Sequence, residues 1–188
     1  MTTTHAFHLD VGRTGLATLV FDHPGKRVNV FDREVMEELE GVVAGLAGRG
    51  DVRALVLLSG KESGFIAGAD VGMIAEVTDS LAAEAGVRFG QRVFAAWEAL
   101  PFPTVAAIRG ASMGGGTEIA LASSWRVVSD SETTRIALPE VRLGILPAWG
   151  GSTRLPRLVG IEAALDLILT GKDLYPKKAL RIGFADAL

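Results

Sequence analysis

The stretch TVAAIRGASMGGGTE, residues 104–118, decides the fold of this chain. Its first five residues are an apolar run, which predicts a buried strand over 104–108, and its three glycines lead into a predicted helix. The first N–H groups of a helix lack intrahelical partners and lie at the positive end of the helix dipole. Because glycine lets a ligand oxygen approach those groups closely, the junction predicts a pocket for an anionic oxygen, either a phosphate or an oxyanion that develops in a reaction.

Phosphate-binding loops are the first alternative for such a junction. The chain contains neither G-x-x-x-x-G-K-[ST] nor G-x-G-x-x-G, the two standard patterns. Gly60-Lys61 comes nearest, but Leu55 stands where the first glycine of the pattern is needed. The sequence therefore favours an oxyanion hole over a nucleotide site.

Strands and helices alternate at short intervals on both sides of the junction. An apolar stripe predicts a helix over 32–48, with Asp32 as its N-cap and Gly48 as its stop. Residues 183–188 are interpreted as the entry into another strand. The alternation predicts an α/β fold with mostly parallel pairing, in a single domain over 1–188. Further strands are predicted at 6–11, 15–21, 54–58 and 126–128, a loop at 60–68, and helices at 79–100, 151–158, 161–170 and 176–181.

Composition narrows the function classes. The chain has 188 residues, 48% hydrophobic and 22% charged, which is an ordinary globular balance. The net charge of −3, without a basic run, gives no case for nucleic acid binding. There is no cysteine and only three histidines, all near the N-terminus, which disfavours disulfides, thiol nucleophiles, histidine triads and metal sites. Residues 1–10 show no signal peptide and the chain shows no membrane span, so a cytoplasmic protein is expected.

Two glutamates stand where a pocket carboxylate is expected. Glu118 follows the glycines in the first predicted helical turn and could act as an acid/base group, although a glutamate there also simply stabilises the helix dipole. Glu140 lies in the apolar stretch 137–147, where burial would raise its pKa and suit a proton donor. A surface glutamate paired with Arg142 would explain the same residue.

The segment Gly64-Phe-Ile-Ala-Gly-Ala-Asp70 is a third candidate. An apolar strand end runs into a glycine turn, whose backbone N–H groups could face a carbonyl oxygen. An ordinary turn with an aspartate cap for the following helix explains the pattern equally.

Taken in this order and spacing, the three segments resemble the enoyl-CoA hydratase/isomerase (crotonase) family. The resemblance extends from about residue 10 to the end of the chain. The segment 65–70 is most similar to the N-terminal hydratase part of multifunctional fatty-acid oxidation proteins, in which a 3-hydroxyacyl-CoA dehydrogenase follows along the chain. The matching positions are Asn29, 65–70, 106–110, 113–118, 138–140, 143–147, 150–157 and 169–171.

The resemblance implies a crotonase-like (ClpP/crotonase) superhelix of ββα units and enoyl-CoA hydratase activity, the reversible syn addition of water to a 2-trans-enoyl-CoA. The N–H groups of Ala69 and Gly115 would hold the thioester oxygen. Glu118 would activate the water that attacks C3, and Glu140 would deliver a proton to C2. No cofactor is implied, because coenzyme A is part of the acyl-CoA substrate.

Contacts with coenzyme A are implied as well. Lys26 would meet a phosphate as a point charge, although a solvated turn lysine explains it equally. Trp149, bulkier than the residue usual at its position, would shorten or reshape the acyl pocket. The other positions that align with substrate contacts are Ala67, Gly68, Asp70, Gly114 and Gly116.

The family also implies partners. Its C-terminal helices, which cover the active site and help to form trimers, are missing from this sequence. The chain is therefore expected to be a truncated N-terminal part of a longer, multifunctional protein. A homotrimer or a β-oxidation complex with a thiolase would be its assembly.

Three function classes stay open. The first is an enoyl-CoA hydratase, alone or with additional Δ3-Δ2-enoyl-CoA isomerase activity. The second is another crotonase-fold enzyme, such as an isomerase, hydrolase, decarboxylase or dehalogenase, many of which lack one of the two glutamates. The third is a non-catalytic acyl-CoA binding module, which has no need of two pocket carboxylates.

Overall fold

The computed structural model describes residues 5–188. Residues 1–4, where the expectation about a signal peptide begins, lie outside the described residues. Eight strands form the sheets: β1 (Phe7–Val11), β2 (Leu16–Phe21), β3 (Ala54–Ser59), β4 (Gly64–Ile66), β5 (Thr104–Ile108), β6 (Ala111–Met113), β7 (Trp125–Val128) and β8 (Arg135–Ala137). The helices are α1 (Arg33–Ala47), α2 (Val71–Glu76), α3 (Ser80–Glu98), α4 (Gly115–Ala122), α5 (Gly151–Val159), α6 (Ile161–Thr170), α7 (Pro176–Arg181) and a 3-10 turn over Pro139–Leu143.

The strands form two sheets. The larger has the order β1-β2-β3-β5-β7, and only its β1–β2 pair is antiparallel. The smaller has the order β4-β6-β8 and is parallel throughout. Each strand of the smaller sheet directly follows one strand of the larger sheet, so the chain repeats a strand–strand–helix unit. This is the crotonase-type arrangement that the sequence predicted, and the repeat places the ends of β4, β6 and β8 next to one another.

Most predicted elements agree with the structure within two residues. Asp32 caps α1 by accepting a hydrogen bond from the N–H of Val35, and Gly48 is its C-cap. Two predictions were wrong. The predicted loop over 60–68 contains strand β4, and residues 183–188 form no strand, only a single bridge between Ala187 and Val127.

The buried side chain of Asn29 fixes the loop that leads to the site. Its amide nitrogen donates to the carbonyl oxygens of Phe21 and Phe65 and to Ser59 Oγ, at 2.7, 3.2 and 3.0 Å. Its amide oxygen accepts from the N–H of His23 at 2.9 Å. One side chain thus ties the end of β2 to β3 and β4, which belong to different sheets.

The side chains that the structure describes include no cluster of three or more histidine, aspartate or glutamate residues that could hold a metal ion. No helix among the described residues is both long and apolar enough to cross a bilayer.

Candidate active site

Two backbone N–H groups lie in adjoining segments, one in the turn after β4 and one at the start of α4. Phe31 pairs with this turn by donating to Gly68 O and accepting from Asp70 N, at 2.8 and 3.0 Å. In such a parallel bridge the N–H of the central residue, Ala69, points away from Phe31. Gly115 is the first residue of α4, where the N–H has no intrahelical acceptor. Within residues 5–188, neither N–H donates to a protein oxygen.

Glycines bring these two segments together. Gly68 has φ 101° and Gly114 has φ 50°, backbone conformations that residues other than glycine rarely adopt. A Cβ on Gly68 would lie 3.6 Å from the nitrogen of Gly115, so the turn lies directly against the start of α4. Gly114 donates its own N–H to Ala137 O at 3.0 Å, which fixes the start of α4 to the end of β8. The N–H of Gly115 is therefore held in place by both neighbouring strands of the small sheet.

Glu118 lies in the first turn of α4 and is only 3% exposed. Its Oε1 accepts hydrogen bonds from the N–H groups of Trp149 and Gly151, both at 2.8 Å. These two bonds hold the carboxylate in one orientation and tie α4 to the loop that precedes α5. The dipole interpretation of Glu118 alone does not account for this buried, bonded position.

Glu140 lies in the 3-10 turn that follows β8, with 9% of its surface exposed. Its Oε2 is buried and has no hydrogen-bond partner among residues 5–188. Its Oε1 lies 3.1 Å from the position that a Cβ on Gly114 would take. The alternative of a surface glutamate paired with Arg142 is therefore wrong, because the carboxyl group points inward to the start of α4.

Burial controls the protonation of both carboxyl groups. It raises the pKa of Glu118 from 4.5 to about 7, against the lowering effect of the Gly151 and Trp149 N–H groups. The charge of Glu140 also raises the pKa of Glu118. Burial raises the pKa of Glu140 from 4.5 to about 7 as well. Two acids beside one pair of N–H groups can therefore both exchange protons near neutral pH.

Side chains of α3 and α5 fix the loop over 147–151. Arg154 donates to Trp149 O at 3.1 Å and to Glu98 Oε2 at 3.0 and 2.7 Å. Gln91 of α3 donates to Ala148 O at 2.8 Å. These contacts orient the two N–H groups that bind Glu118, and sequence patterns alone gave no sign of them.

The predicted coenzyme contacts lie in three places. Lys26 Nζ lies 3.0 Å from Asp70 Oδ2 at the surface, and Ala67 is exposed. Gly68 and Gly114 lie at the N–H pair described above. Gly116 lies against β4: a Cβ there would be 2.4 Å from Ile66 O, so packing of α4 on β4 also requires a glycine at this position.

Comparison with known proteins identifies the family. The model of the enoyl-CoA hydratase/isomerase family matches residues 12–188. The chain belongs to this family. The predicted family and fold are thereby confirmed, since the matched region contains all the elements that build the site.

This family member is similar to a curated relative. It is 44% identical over 187 residues to the fatty acid oxidation complex subunit alpha of Vibrio campbellii, a match that covers 100% of this chain but only 27% of that protein. The chain therefore spans about a quarter of the length of that curated relative. This match also confirms the predicted likeness to the hydratase part of fatty-acid oxidation proteins.

Solved structures give the same result. An enoyl-CoA hydratase from Bacillus anthracis is 28% identical with a TM-score of 0.89, over 97% of this chain and 69% of that one. DspI from Pseudomonas aeruginosa is 33% identical with a TM-score of 0.90, over 100% of this chain and 69% of that one. Both show that this chain has the fold of these proteins.

Proposed function

We propose that this chain is an enoyl-CoA hydratase, which adds water reversibly to a 2-trans-enoyl-CoA to give a 3-hydroxyacyl-CoA. One observation carries the proposal. Two buried carboxyl groups, each with a pKa raised to about 7, lie at the start of α4, where the N–H of Gly115 lacks a protein acceptor within residues 5–188. A pair of acids beside an oxyanion-binding N–H is what addition of water across a conjugated thioester requires.

The N–H groups of Ala69 and Gly115 bind the thioester oxygen in this proposal. When the water oxygen bonds to C3, the electrons of the C2–C3 double bond move into the thioester, and negative charge develops on its oxygen. Two fixed N–H groups stabilise that charge without reorganisation, and removal of one such donor typically costs about 10²–10³ in rate. No metal or cofactor enters this step.

Glu118 and Glu140 divide the proton transfers. Ionised Glu118 accepts a proton from the water that attacks C3, while protonated Glu140 delivers its proton to C2. The addition then balances as one water, with hydroxyl at C3 and hydrogen at C2, and the proton on Glu118 returns to Glu140 through water before the next turnover. Because each negative charge disfavours the other, the pair favours the state with one proton near neutral pH.

Coenzyme A is proposed to enter along the surface of the turn after β4. Lys26 is about half-exposed and lies at this entrance with Asp70 as its partner. Its ammonium group could meet a phosphate of coenzyme A as a point charge, and exposed Ala67 would line the same path.

An isomerase activity is the second candidate. A Δ3-Δ2 shift needs one carboxylate that removes a proton from C2 as a base and, once protonated, delivers it to C4 as an acid, while the same N–H pair holds the enolate. Glu140, with an unpartnered oxygen and a pKa of about 7, suits such a shuttle. Pure binding is disfavoured, because it would not require two buried acids.

Hydration of crotonyl-CoA tests the proposal directly. Loss of the conjugated enoyl absorbance measures the rate for the wild type, Glu118→Gln and Glu140→Gln. Glutamine at position 118 keeps an amide oxygen that accepts the two N–H bonds, so the variant separates proton transfer from the anchoring of the loop. Each variant is expected to lose at least about 10²-fold in rate.

The matched control is Glu132→Gln, a change at an exposed carboxyl group, which should keep the wild-type rate. A variant at position 118 or 140 with wild-type activity removes that residue from the proposed chemistry. A wild type that shifts a 3-enoyl double bond but adds no water would establish the isomerase instead.

Fatty-acid β-oxidation is the proposed setting, supported by the Vibrio relative named above. A cytoplasmic location, a homotrimer, a 3-hydroxyacyl-CoA dehydrogenase in the same polypeptide and a thiolase partner are part of the same proposal. Mass measurement of the purified protein, alone and after co-purification, tests the assembly.

A further inference from the structure

The indole of Trp149 occupies a slot between α3 and α4 that exists only because both helices carry glycine there. A Cβ on Gly90 of α3 would lie 2.3 Å from the indole Nε1. A Cβ on Gly115 of α4 would lie 2.8 Å from the indole Cζ3. Real Cβ atoms do not approach neighbours within 3.0 Å, so even an alanine at either position is incompatible with this ring placement.

Two phenylalanines fix the ring in this slot. The indole packs edge-to-face against both rings. The distance between ring centroids is 6.1 Å to Phe31 and 5.5 Å to Phe94, and the angles between the ring planes are 69° and 83°. Edge-to-face pairs of this kind contribute beyond simple burial and define one ring orientation. These contacts hold the indole in one orientation, so it forms a fixed wall of the slot.

The wall lies beside the proposed reaction centre. The N–H of Trp149 binds Glu118 Oε1 at 2.8 Å, and its ring contacts Gly115, whose N–H would hold the thioester oxygen. The proposed chemistry places C1 at Gly115 and C3 at Glu118, and the indole borders both residues, so it lies next to the acyl carbons beyond C3 in that placement. We propose that Trp149, seated against Gly90, closes the acyl channel and restricts the enzyme to short-chain 2-trans-enoyl-CoA substrates. This inference rests on the proposed hydratase activity.

Chain-length profiles test the inference. Hydration of 2-trans-butenoyl-CoA, -hexenoyl-CoA and -decenoyl-CoA is measured for the wild type, Trp149→Ala and Trp149→Leu. For the wild type, kcat/KM is expected to fall at least about tenfold from the C4 to the C10 substrate. In both variants the C10/C4 ratio of kcat/KM should rise at least about tenfold, because the end wall is removed. Trp149→Leu retains core volume and serves if Trp149→Ala does not fold.

A second test uses the contact between the indole and α3. Gly90→Ala should displace the ring, disturb the Trp149 N–H that holds Glu118, and lower kcat/KM for the C4 substrate about tenfold or more. Combined with Trp149→Ala, the added methyl group meets no ring, so it should change the rate less than twofold. Gly86→Ala on the same helix is the control, since a Cβ there contacts nothing within 4 Å.

The outcomes separate the two proposals. A wild type without hydratase activity on any chain length overturns the proposed function and this inference with it. A wild type that hydrates C4 and C10 substrates equally, or a Trp149→Ala enzyme with an unchanged C10/C4 ratio, overturns the inference alone. An equal effect of Gly90→Ala in both backgrounds also overturns it, because the indole would then not occupy the slot.

Discussion

Replacing Glu140 by glutamine should stabilise the fold above neutral pH while it removes hydratase activity. The carboxyl group is 9% exposed, and its Oε2 has no partner among residues 5–188. Its ionised form is therefore held in an apolar place without a compensating hydrogen bond on that oxygen. Glutamine has nearly the same shape and carries no charge at any pH.

The magnitude follows from the pKa. Burial raises the pKa of Glu140 from 4.5 to about 7, and at 1.36 kcal/mol for each pH unit this corresponds to roughly 3 kcal/mol. Below pH 4.5 the group is protonated in both the folded and the unfolded chain, so burying it costs no stability. As the pH rises from 4.5 to about 7 the unfolded chain ionises and the folded chain does not, so the wild type loses this roughly 3 kcal/mol of stability.

Urea unfolding at pH 4 and pH 8 measures the effect. The free energy of unfolding of Glu140→Gln minus that of the wild type should become more positive by about 3 kcal/mol between the two pH values. Titrating groups that do not interact with Glu140 are common to both proteins and cancel in this difference. Glu118 does not cancel, but losing the charge of Glu140 lowers its pKa, which stabilises the variant at pH 8 in the same direction. Glu132→Gln, at an exposed carboxyl group, should show no such change. If the Glu140→Gln difference is the same at both pH values, the carboxyl group is not buried as described and the reasoning fails.

Three further outcomes are expected. Hydration should show a bell-shaped pH dependence of kcat/KM with its maximum near pH 7, because Glu118 must be ionised and Glu140 protonated; a flat profile from pH 5 to 9 would contradict this assignment. Asn29→Leu should lower the free energy of unfolding in urea by at least about 3 kcal/mol, since several buried polar groups lose their partners at roughly 1–3 kcal/mol each. Arg154→Gln should lower kcat and move the acidic limb of the pH profile to higher pH, because the guanidinium lowers the pKa of Glu118; Arg157→Gln on the same helix should leave both unchanged.

Elements with a repeating apolar pattern and clear ends could be predicted from the sequence. Helix α1 has such a stripe and is bounded by Asp32 and Gly48, and the predicted limits differ from the observed ones by one residue at each end. Strands β4, β6 and β8 have three residues each; β6 and β8 were missed, and β4 was foreseen only as a strand end before the glycine turn. Three residues are too few to show a period of two, so only pairing within the small sheet defines them.

In the site, as in the fold, local features could be predicted from the sequence and contacts between distant residues could not. The glycines before Glu118 and the apolar surroundings of Glu140 are local features, and they predicted a pocket with two carboxyl groups. The N–H groups of Trp149 and Gly151 that bind Glu118 belong to a loop 31 and 33 residues away along the chain, and backbone donors leave no mark in a sequence. Gly90 could not be singled out either, because within a helix pattern a glycine gives no hint of a tryptophan that packs against it.

The unpartnered oxygen of Glu140 says more about function than membership of the family does. A charge buried without a partner costs stability, and roughly 3 kcal/mol is a large share of the 5–15 kcal/mol that holds a typical domain together. Among residues 5–188 the backbone N–H of Glu140 itself favours the charge, but Oε2 stays without a partner, and methionine would fill a similar space without a buried charge. A chain that only bound acyl-CoA would gain stability by losing this carboxyl group. The proton transfer to substrate proposed above for Glu140 gives a reason for this buried carboxyl group, which the stability of the fold does not give.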